Sequence, residues 1–457
     1  VNAENESPWL IDVSAGRLSR ASLLADIARP DAARRICQPR DTAEALTEIA
    51  RTLLHGGDMV LLDTDFSAPE LSALGISMAA VNRLTPHVEM KPVSWDALQR
   101  AAAGVSTARL GIYTSGSTGL PKLVWQPATN LARGVKVSTR HAAAVWGFSY
   151  NPTHVAGIQV YLQALANGCP LVNLYGLGRA AIWQAIGVYG VTHLSATPSF
   201  YRLLLPAESA AVSVRTVTLG GESLDRGLIE RLRAAFPAAR IHNIYASTEA
   251  GTLLIADGDV FAIAAGLEDR VRIIDGRIHV HHSLLGQFSR GRQAADVGGL
   301  AGKPESPVTS EQLSEKRFNS QLLTTRIQEP ITASSQSADI WYDTGDVVEV
   351  VSDAPLRFRI VARDRDWVNV GGSKVNPREV EAVLEEFPGI VRVRVSGRRN
   401  SVLGSILVAE VQCRDVPPSE TQLREFAAAR LQDFKVPRLI RFVNTIAQTR
   451  SGKTSRQ

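Results

Sequence analysis

Between residues 41 and 110 the apolar positions change period. In "TAEALTEIARTLL" they recur every three to four residues, as on one face of a helix, and "DMVLLD" packs them into a short run that suits a buried strand. "TARLGIY" then reads as a strand running into a loop, and "HVAGIQVYLQALANGCPLVNLY" as a helix followed by a strand. "AAIWQAIGVYGVTHLSATPSFYRLLL" reads as helix, strand, turn and helix. "VRTVTLGG" is a strand ending in a tight turn, "SLDRGLIERLRAAFP" a capped amphipathic helix, and "RIHNIYASTE" a strand leading to a loop. Strand and helix alternate throughout, which predicts an α/β fold with mostly parallel, helix-covered sheets. Ligands in such folds gather at the C-terminal ends of the strands.

From about 256 to 340 this rhythm stops. "VRIIDGRIHVHH" looks like a hairpin in a small β subdomain, and residues 289–338 form a polar, glycine- and serine-rich insertion. Short strands return from "VVEVV" to "FRIVARDRDWVNVGG". A final α+β unit then carries helix "NPREVEAVLEEF", strands "IVRVRVSG" and "LVAEVQCR", helix "SETQLREFAAARL" and strand "RLIRFVN". The boundary falls near Arg363–Trp367, giving a large N-terminal domain over 1–363 and a smaller C-terminal domain over 364–457.

Composition narrows the class only modestly. The 457 residues are 45% hydrophobic and 21% charged with a net charge of +5, ordinary for a soluble enzyme and without the basic runs of a nucleic-acid arm. Three widely spaced cysteines, Cys37, Cys169 and Cys413, support neither a disulfide framework nor a zinc site, so a reducing cytoplasm is expected. The first residues lack a signal-peptide pattern, and no apolar run is long enough to span a membrane.

"YTSGSTGLPK", residues 113–122, has the hydroxyls, glycines and lysine of a phosphate-binding loop. It is not a Walker A loop. Counted from Gly116, the second glycine would fall at Pro121, which has no N–H to offer a phosphate. Thr114, Ser115, Ser117 and Thr118 can still donate to phosphate oxygens, while Gly116 and Gly119 allow close backbone approach. "GLGRAA", at Gly176 and Gly178, lacks the third glycine of a dinucleotide fingerprint and reads as a loop entering a helix.

Taken with four later segments, this loop resembles the acyl-adenylate-forming superfamily of acyl- and aryl-CoA synthetases, luciferases and adenylation domains. "HNIYASTEAG" is similar to its Tyr-x-x-Thr-Glu motif and "YDTGD" to its Tyr-x-Thr-Gly-Asp. "ARDRDWVNVGGSKVNPREVE" is similar to its hinge-and-glycine stretch, and "TRSGKTSR" to its C-terminal Gly-Lys signature. The resemblance implies that Thr114, Ser115, Gly116, Ser117, Thr118, Gly119 and Lys122 hold the β- and γ-phosphates of ATP. It implies that Thr248 contacts the α-phosphate and that Glu249 holds Mg²⁺, beside Ala246 and Ser247. Asp346 would accept from the ribose hydroxyls with Arg363 assisting. Tyr245 would stack on adenine, and Gly220, Gly221 and Glu222 would line the nucleotide pocket. Lys453 would bridge carboxylate and α-phosphate. His154, Val155, Ala156, Gly157, Ala196, Thr197 and Gly220 would shape the acyl pocket, although a satisfied core histidine is an equal reading of His154. Gly371 and Gly372 would flank a thiol tunnel, with Lys374 nearby.

The chain departs from the pattern in places. Leu123 stands where glycine is usual, Ala447 where proline is usual, and Lys374 where an arginine is usual. The usual hinge aspartate is replaced by Arg365, with Asp366 next, and either could pivot. The implied activity is formation of acyl-AMP from ATP and an acid, followed by transfer to the thiol of CoA. A phosphopantetheine on an acyl carrier protein is the alternative acceptor. Val155, in place of an acidic residue, argues against an α-amino acid and for an aryl or aliphatic one. An enzyme that stops at acyl-AMP and a catalytically silent nucleotide-binding protein are the other readings, with a monomer or homodimer expected.

Overall fold

The computed structural model describes residues 6–30, 33–64, 66–86, 90–114, 122–207, 210–222, 224, 226–264, 266–288, 340–363, 367–370, 373–400 and 404–447. The α/β expectation holds. Six parallel strands, in the order Arg240–Ser247, Thr216–Gly220, His193–Ala196, Trp146–Phe148, Leu171–Asn173 and Pro8–Asp12, form the body of one sheet. Antiparallel strands Gly251–Asp257 and Gly16–Ser19 close its two edges. A second sheet of five strands runs Gln287–Phe288, Lys122–Pro127, Arg109–Thr114, Asp58–Leu61 and Ile36–Cys37.

Helices Thr42–His55, Trp95–Ala102 and Val155–Ala166 carry apolar faces that meet both sheets. Leu46, Ile49, Leu98 and Ile158 share one buried cluster with Leu10 and Phe148 of the first sheet and Leu110 and Ile112 of the second. Burying aliphatic side chains of this size contributes about 1.5–3 kcal/mol each. The helix Thr42–His55 starts where it does because the Asp41 side chain caps it, accepting from Glu44 N at 2.8 Å.

A four-stranded antiparallel sheet follows: Val271–Ile274, Arg277–His281, Trp341–Asp353 and Leu356–Arg363. The hairpin read from "VRIIDGRIHVHH" is its first pair. Strand Trp341–Asp353 extends over 13 residues, longer than the short strands expected there. Its first half, "WYDTGD", lacks apolar alternation, and pairing with Arg277–His281 holds it extended instead, while Leu356–Arg363 pairs with the strand from Asp346 onward. Residues from 367 onward build their own core, in which Val380, Leu384, Val393, Val395 and Leu423 are buried together and share no cluster with the preceding sheets. The side-chain amide of Asn376 donates to Val361 O at 2.6 Å, while its oxygen caps helix Pro377–Glu385. No helix among the described residues is long and apolar enough to cross a membrane.

At the N-terminal end of the parallel strands the His193 ring stacks on Trp146 at 4.6 Å and faces His141 at 5.6 Å. Burial, with the neighbouring His141 adding to it, lowers its pKa to about 4. The folded state therefore resists a proton that the unfolded chain takes up near 6.5. The His193 contribution to stability is complete above pH 6.5 and is lost as the pH falls toward 4. His193→Gln should flatten the decline of melting temperature across that window, as measured by thermal unfolding from pH 7 to 4.

Candidate active site

The site is built at strand ends. Phe148, Ala196 and Gly220 terminate adjacent parallel strands, and Tyr245, Ala246 and Ser247 end the next one. The pairing of that strand with Gly251–Asp257 shifts register between Tyr245 and Ala246, a bulge that re-aims the side chains beyond it. Thr248 and Glu249 lie in the connecting turn, which Gly251 completes at φ +67°. The Tyr245 hydroxyl donates to Asp346 Oδ2 at 2.6 Å, uniting two motifs 101 positions apart.

Asp346 is only 7% exposed. Its strand is held there by the Thr344 hydroxyl, which donates to Ile278 O at 2.9 Å and accepts from Asp346 N at 3.1 Å. In the ladder Asp346 stands directly opposite Arg363. The assignment of the two as partners is thus compatible with backbone register. Asp346 sits in a strand, not in a turn, and Gly345 at φ +74° turns the chain just before it.

The Gly220-Gly221-Glu222 turn follows its strand, with Gly221 at φ +83°. The Glu222 carboxylate accepts from Ser199 N at 2.8 Å and Ser199 Oγ at 3.0 Å. Thr197 caps the helix carrying Ser199, accepting from Phe200 N at 3.1 Å. The C-terminal unit closes on this helix. Arg202 pairs with Glu385 at 2.8 Å, and Arg414 donates to Leu205 O at 3.1 Å. Arg392 is buried in the same seam, where desolvation lowers its pKa against the attraction of Glu222 and Glu385.

Strands Arg109–Thr114 and Lys122–Pro127 form an antiparallel pair in which Thr114 faces Lys122 across the ladder. The two ends of the phosphate loop are therefore fixed a strand spacing apart. Leu123, unexplained by motif comparison, is a core residue: 8% exposed, it packs over Gly111, whose added Cβ would lie 3.1 Å from the Leu123 side chain. Further along the same strand Gln126 is fully buried, and its amide nitrogen lies 2.6 Å from Thr248 O and 2.8 Å from Glu249 O. Arg133 donates to the next carbonyl, Ala250 O, at 2.9 Å. Neither Gln126 nor Arg133 belongs to a recognisable motif, because a side chain gripping distant backbone leaves no spacing to read.

Asp63 was missed for the same reason. Buried just beyond strand Asp58–Leu61, it accepts from His154 Nε2 at 2.9 Å, from Asn151 Nδ2 at 3.0 Å and from the Thr153 hydroxyl. His154 is thus a satisfied histidine at the start of helix Val155–Ala166, one of the two readings left open by the sequence. Val155 and Ala196 are buried. Gly157 serves close packing, since a Cβ there would lie 2.3 Å from Asn151 O.

Ser115, Gly116, Ser117, Thr118, Gly119, Arg365, Asp366, Gly371, Gly372 and Lys453 lie outside the described residues, as do the side chains of Thr114, Arg363 and Lys374. For the metal, the chemistry of the donor set is informative. Glu249 is half-buried, and no cluster of three or more His, Cys, Asp or Glu side chains exists among the described residues. One hard carboxylate without a protein cage fits Mg²⁺ that takes its remaining oxygens from phosphates and water.

Removing the Tyr245 hydroxyl takes a hydrogen bond from a buried carboxylate without altering ring area. Tyr245→Phe should weaken AMP about tenfold in calorimetric titration, and an unchanged affinity would detach Asp346 from the nucleotide.

Comparison with known proteins agrees with this fold. Residues 101–272 match the family described as AMP-binding enzyme, and residues 379–453 match the AMP-binding enzyme C-terminal domain. The chain is 24% identical over 446 residues to a long-chain-fatty-acid–CoA ligase of Mycobacterium tuberculosis, covering 92% of this chain and 81% of that protein. It is 24% identical over 391 residues to a 2-succinylbenzoate–CoA ligase of Listeria monocytogenes, covering 84% and 74%. The solved o-succinylbenzoate CoA synthetase of Bacillus subtilis, in complex with its acyl-adenylate intermediate, superposes with a TM-score of 0.68 at 18% identity, covering 99% of this chain and 95% of that one. The two matched segments, in family order and together spanning more than half of the chain, place it in the AMP-binding, adenylate-forming superfamily.

Proposed function

We propose that the chain is an AMP-forming acid–thiol ligase that activates an aryl or aliphatic carboxylic acid and passes the acyl group to CoA. The observation that carries this reading is the buried Asp346 carboxylate held by Tyr245 beside the Thr248–Glu249 turn. It groups a ribose acceptor with groups suited to an α-phosphate.

In the first step a carboxylate oxygen attacks the α-phosphorus of ATP. The bond to the β-phosphate breaks, and pyrophosphate leaves. Two anions must meet, so the site has to supply positive charge and in-line alignment. Lys122 and the hydroxyls of 114–118 take the β- and γ-phosphates, Thr248 donates to the α-phosphate, and Asp346 with Arg363 fixes the ribose. Gly220, Gly221 and Glu222 border the base, with Tyr245 against it. Lys453 neutralises charge shared by the carboxylate and the α-phosphate. Mg²⁺, held through Glu249, supplies charge neutralisation on phosphate oxygens when bound.

In the second step a thiolate sulfur attacks the acyl carbon of the mixed anhydride, and AMP departs. Arg365 or Asp366 is the pivot about which the 364–457 unit turns, Gly371 and Gly372 leave room for the pantetheine arm, and Lys374 lies beside it. The small apolar contributors Val155, Ala156, Ala196 and Gly220 suit an uncharged acyl group. Asp63 is engaged by His154, Asn151 and Thr153, so it is not an ammonium partner for an α-amino acid. CoA is the acceptor favoured by the names of the relatives. A reducing cytoplasm suits the free thiol and the three unpaired cysteines.

Hydroxylamine trapping across a panel of acids should give a hydroxamate with at least one, and silence with every acid would sink the ligase reading. Lys453→Ala should slow adenylate formation about 10²–10³-fold yet leave thioester formation from supplied acyl-AMP within about threefold. Equal loss of both steps would remove Lys453 from its role.

A further inference from the structure

The phosphate-binding parts of the site stand on different sheets. The loop that takes the β- and γ-phosphates opens from the five-stranded sheet, whereas Thr248 and Glu249 lie in a turn of the eight-stranded sheet. Their separation must match the spacing of consecutive phosphates in one ATP, and among the described residues no ladder joins the two sheets.

Gln126 spans that gap. It lies four residues after Lys122 on the same strand and hence on the same face, about 13 Å along it. Its amide nitrogen reaches two successive carbonyls, Thr248 O at 2.6 Å and Glu249 O at 2.8 Å. Only the nitrogen can face them, because an amide oxygen there would oppose two other acceptors. Fixing both carbonyls fixes the two peptide planes that flank Glu249, and with them the direction in which its side chain leaves the backbone, while the C-terminal side of Thr248 is held by the first of them.

Two neighbours brace the same turn. Gly286 N donates to Glu249 O at 2.7 Å, and a Cβ on Gly286 would lie 2.7 Å from both the Gln126 amide and Trp125 O. Arg133 holds Ala250 O at 2.9 Å, Leu284 O at 3.2 Å and Asn130 Oδ1 at 2.8 Å. Three consecutive carbonyls, 248 to 250, are thus claimed by two buried or half-buried side chains. Gln126 is the one that stands on the strand leaving the phosphate loop.

We propose that Gln126 is a positioning residue for the α-phosphate and metal contacts, a strap that sets the distance between the strand Lys122–Pro127 and the Thr248–Glu249 turn. The proposal rests on the ligase reading for the roles of Thr248 and Glu249. It adds that the strap, rather than those two side chains alone, determines how well Mg²⁺ and ATP are held together.

Gln126→Met keeps the length and volume but removes both donors. Calorimetry on the full chain should show wild type binding ATP more tightly with Mg²⁺ than without it. That ratio should shrink at least about fivefold in Gln126→Met while metal-free ATP affinity stays within about twofold. Adenylate formation should fall about 10- to 100-fold, the scale expected when reacting groups shift by about 1 Å. Gln126→Asn, which keeps the donors but withdraws them by one carbon, should fall between the two and decides the matter if the methionine variant does not fold. An unchanged Mg²⁺ ratio in a folded variant would overturn the strap. So would a uniform loss of ATP affinity with and without metal, which is the mark of a merely structural role. Wild type that forms no hydroxamate with any acid would overturn the ligase reading instead, independently of either variant.

Discussion

The Tyr245–Asp346 hydrogen bond is the joint on which the site depends. Tyr245 belongs to the eight-stranded sheet and Asp346 to the four-stranded one, and the bond brings a buried carboxylate to the strand ends where Thr248, Glu249 and Gly220 already lie. A nucleotide needs a ribose acceptor, a base surface and phosphate donors at fixed mutual distances. The residues proposed for those roles come from three sheets, so the contacts between sheets matter more than any one motif. Hydrogen bonds to buried charged groups are among the stronger ones, and leaving such a group unsatisfied is costly.

Much of this was legible along the chain. The change between helical and run-like apolar patterns located Asp58–Leu61, Arg109–Thr114, Leu171–Asn173, His193–Ala196, Thr216–Gly220 and Arg240–Ser247, because buried parallel strands must be apolar on both faces. It passed over the three-residue strand Trp146–Phe148, too short to show a run. The motifs drew attention to Tyr245, Thr248, Glu249 and Asp346, and the fold brings Tyr245 and Asp346 into direct contact beside the Thr248–Glu249 turn. Strand Trp341–Asp353 was under-read, because ladder pairing, first with Arg277–His281 and then with Leu356–Arg363, substitutes for apolar alternation.

The supporting residues were not legible, for a definite reason. Gln126, Arg133 and Asp63 act through hydrogen bonds to chain segments 88 to 151 residues away, groups that become neighbours only after folding. Such contacts impose no period and no local composition. Leu123 illustrates the converse. As a deviation from a motif it had no meaning, yet beside Gly111 it fills a space that the opposite strand leaves empty.

The seam between the C-terminal unit and the helix Pro198–Leu204 is made of ions: Arg202 with Glu385, and Arg392 near Glu222. Parting an apolar seam exposes surface that water rejects, whereas parting a charged one returns each ion to hydration and offsets most of the lost attraction. A body seated this way can lift off at little net cost and without presenting a sticky face to other molecules. Dissolved salt, which would strengthen an oily seam, loosens this one as soon as water reaches it.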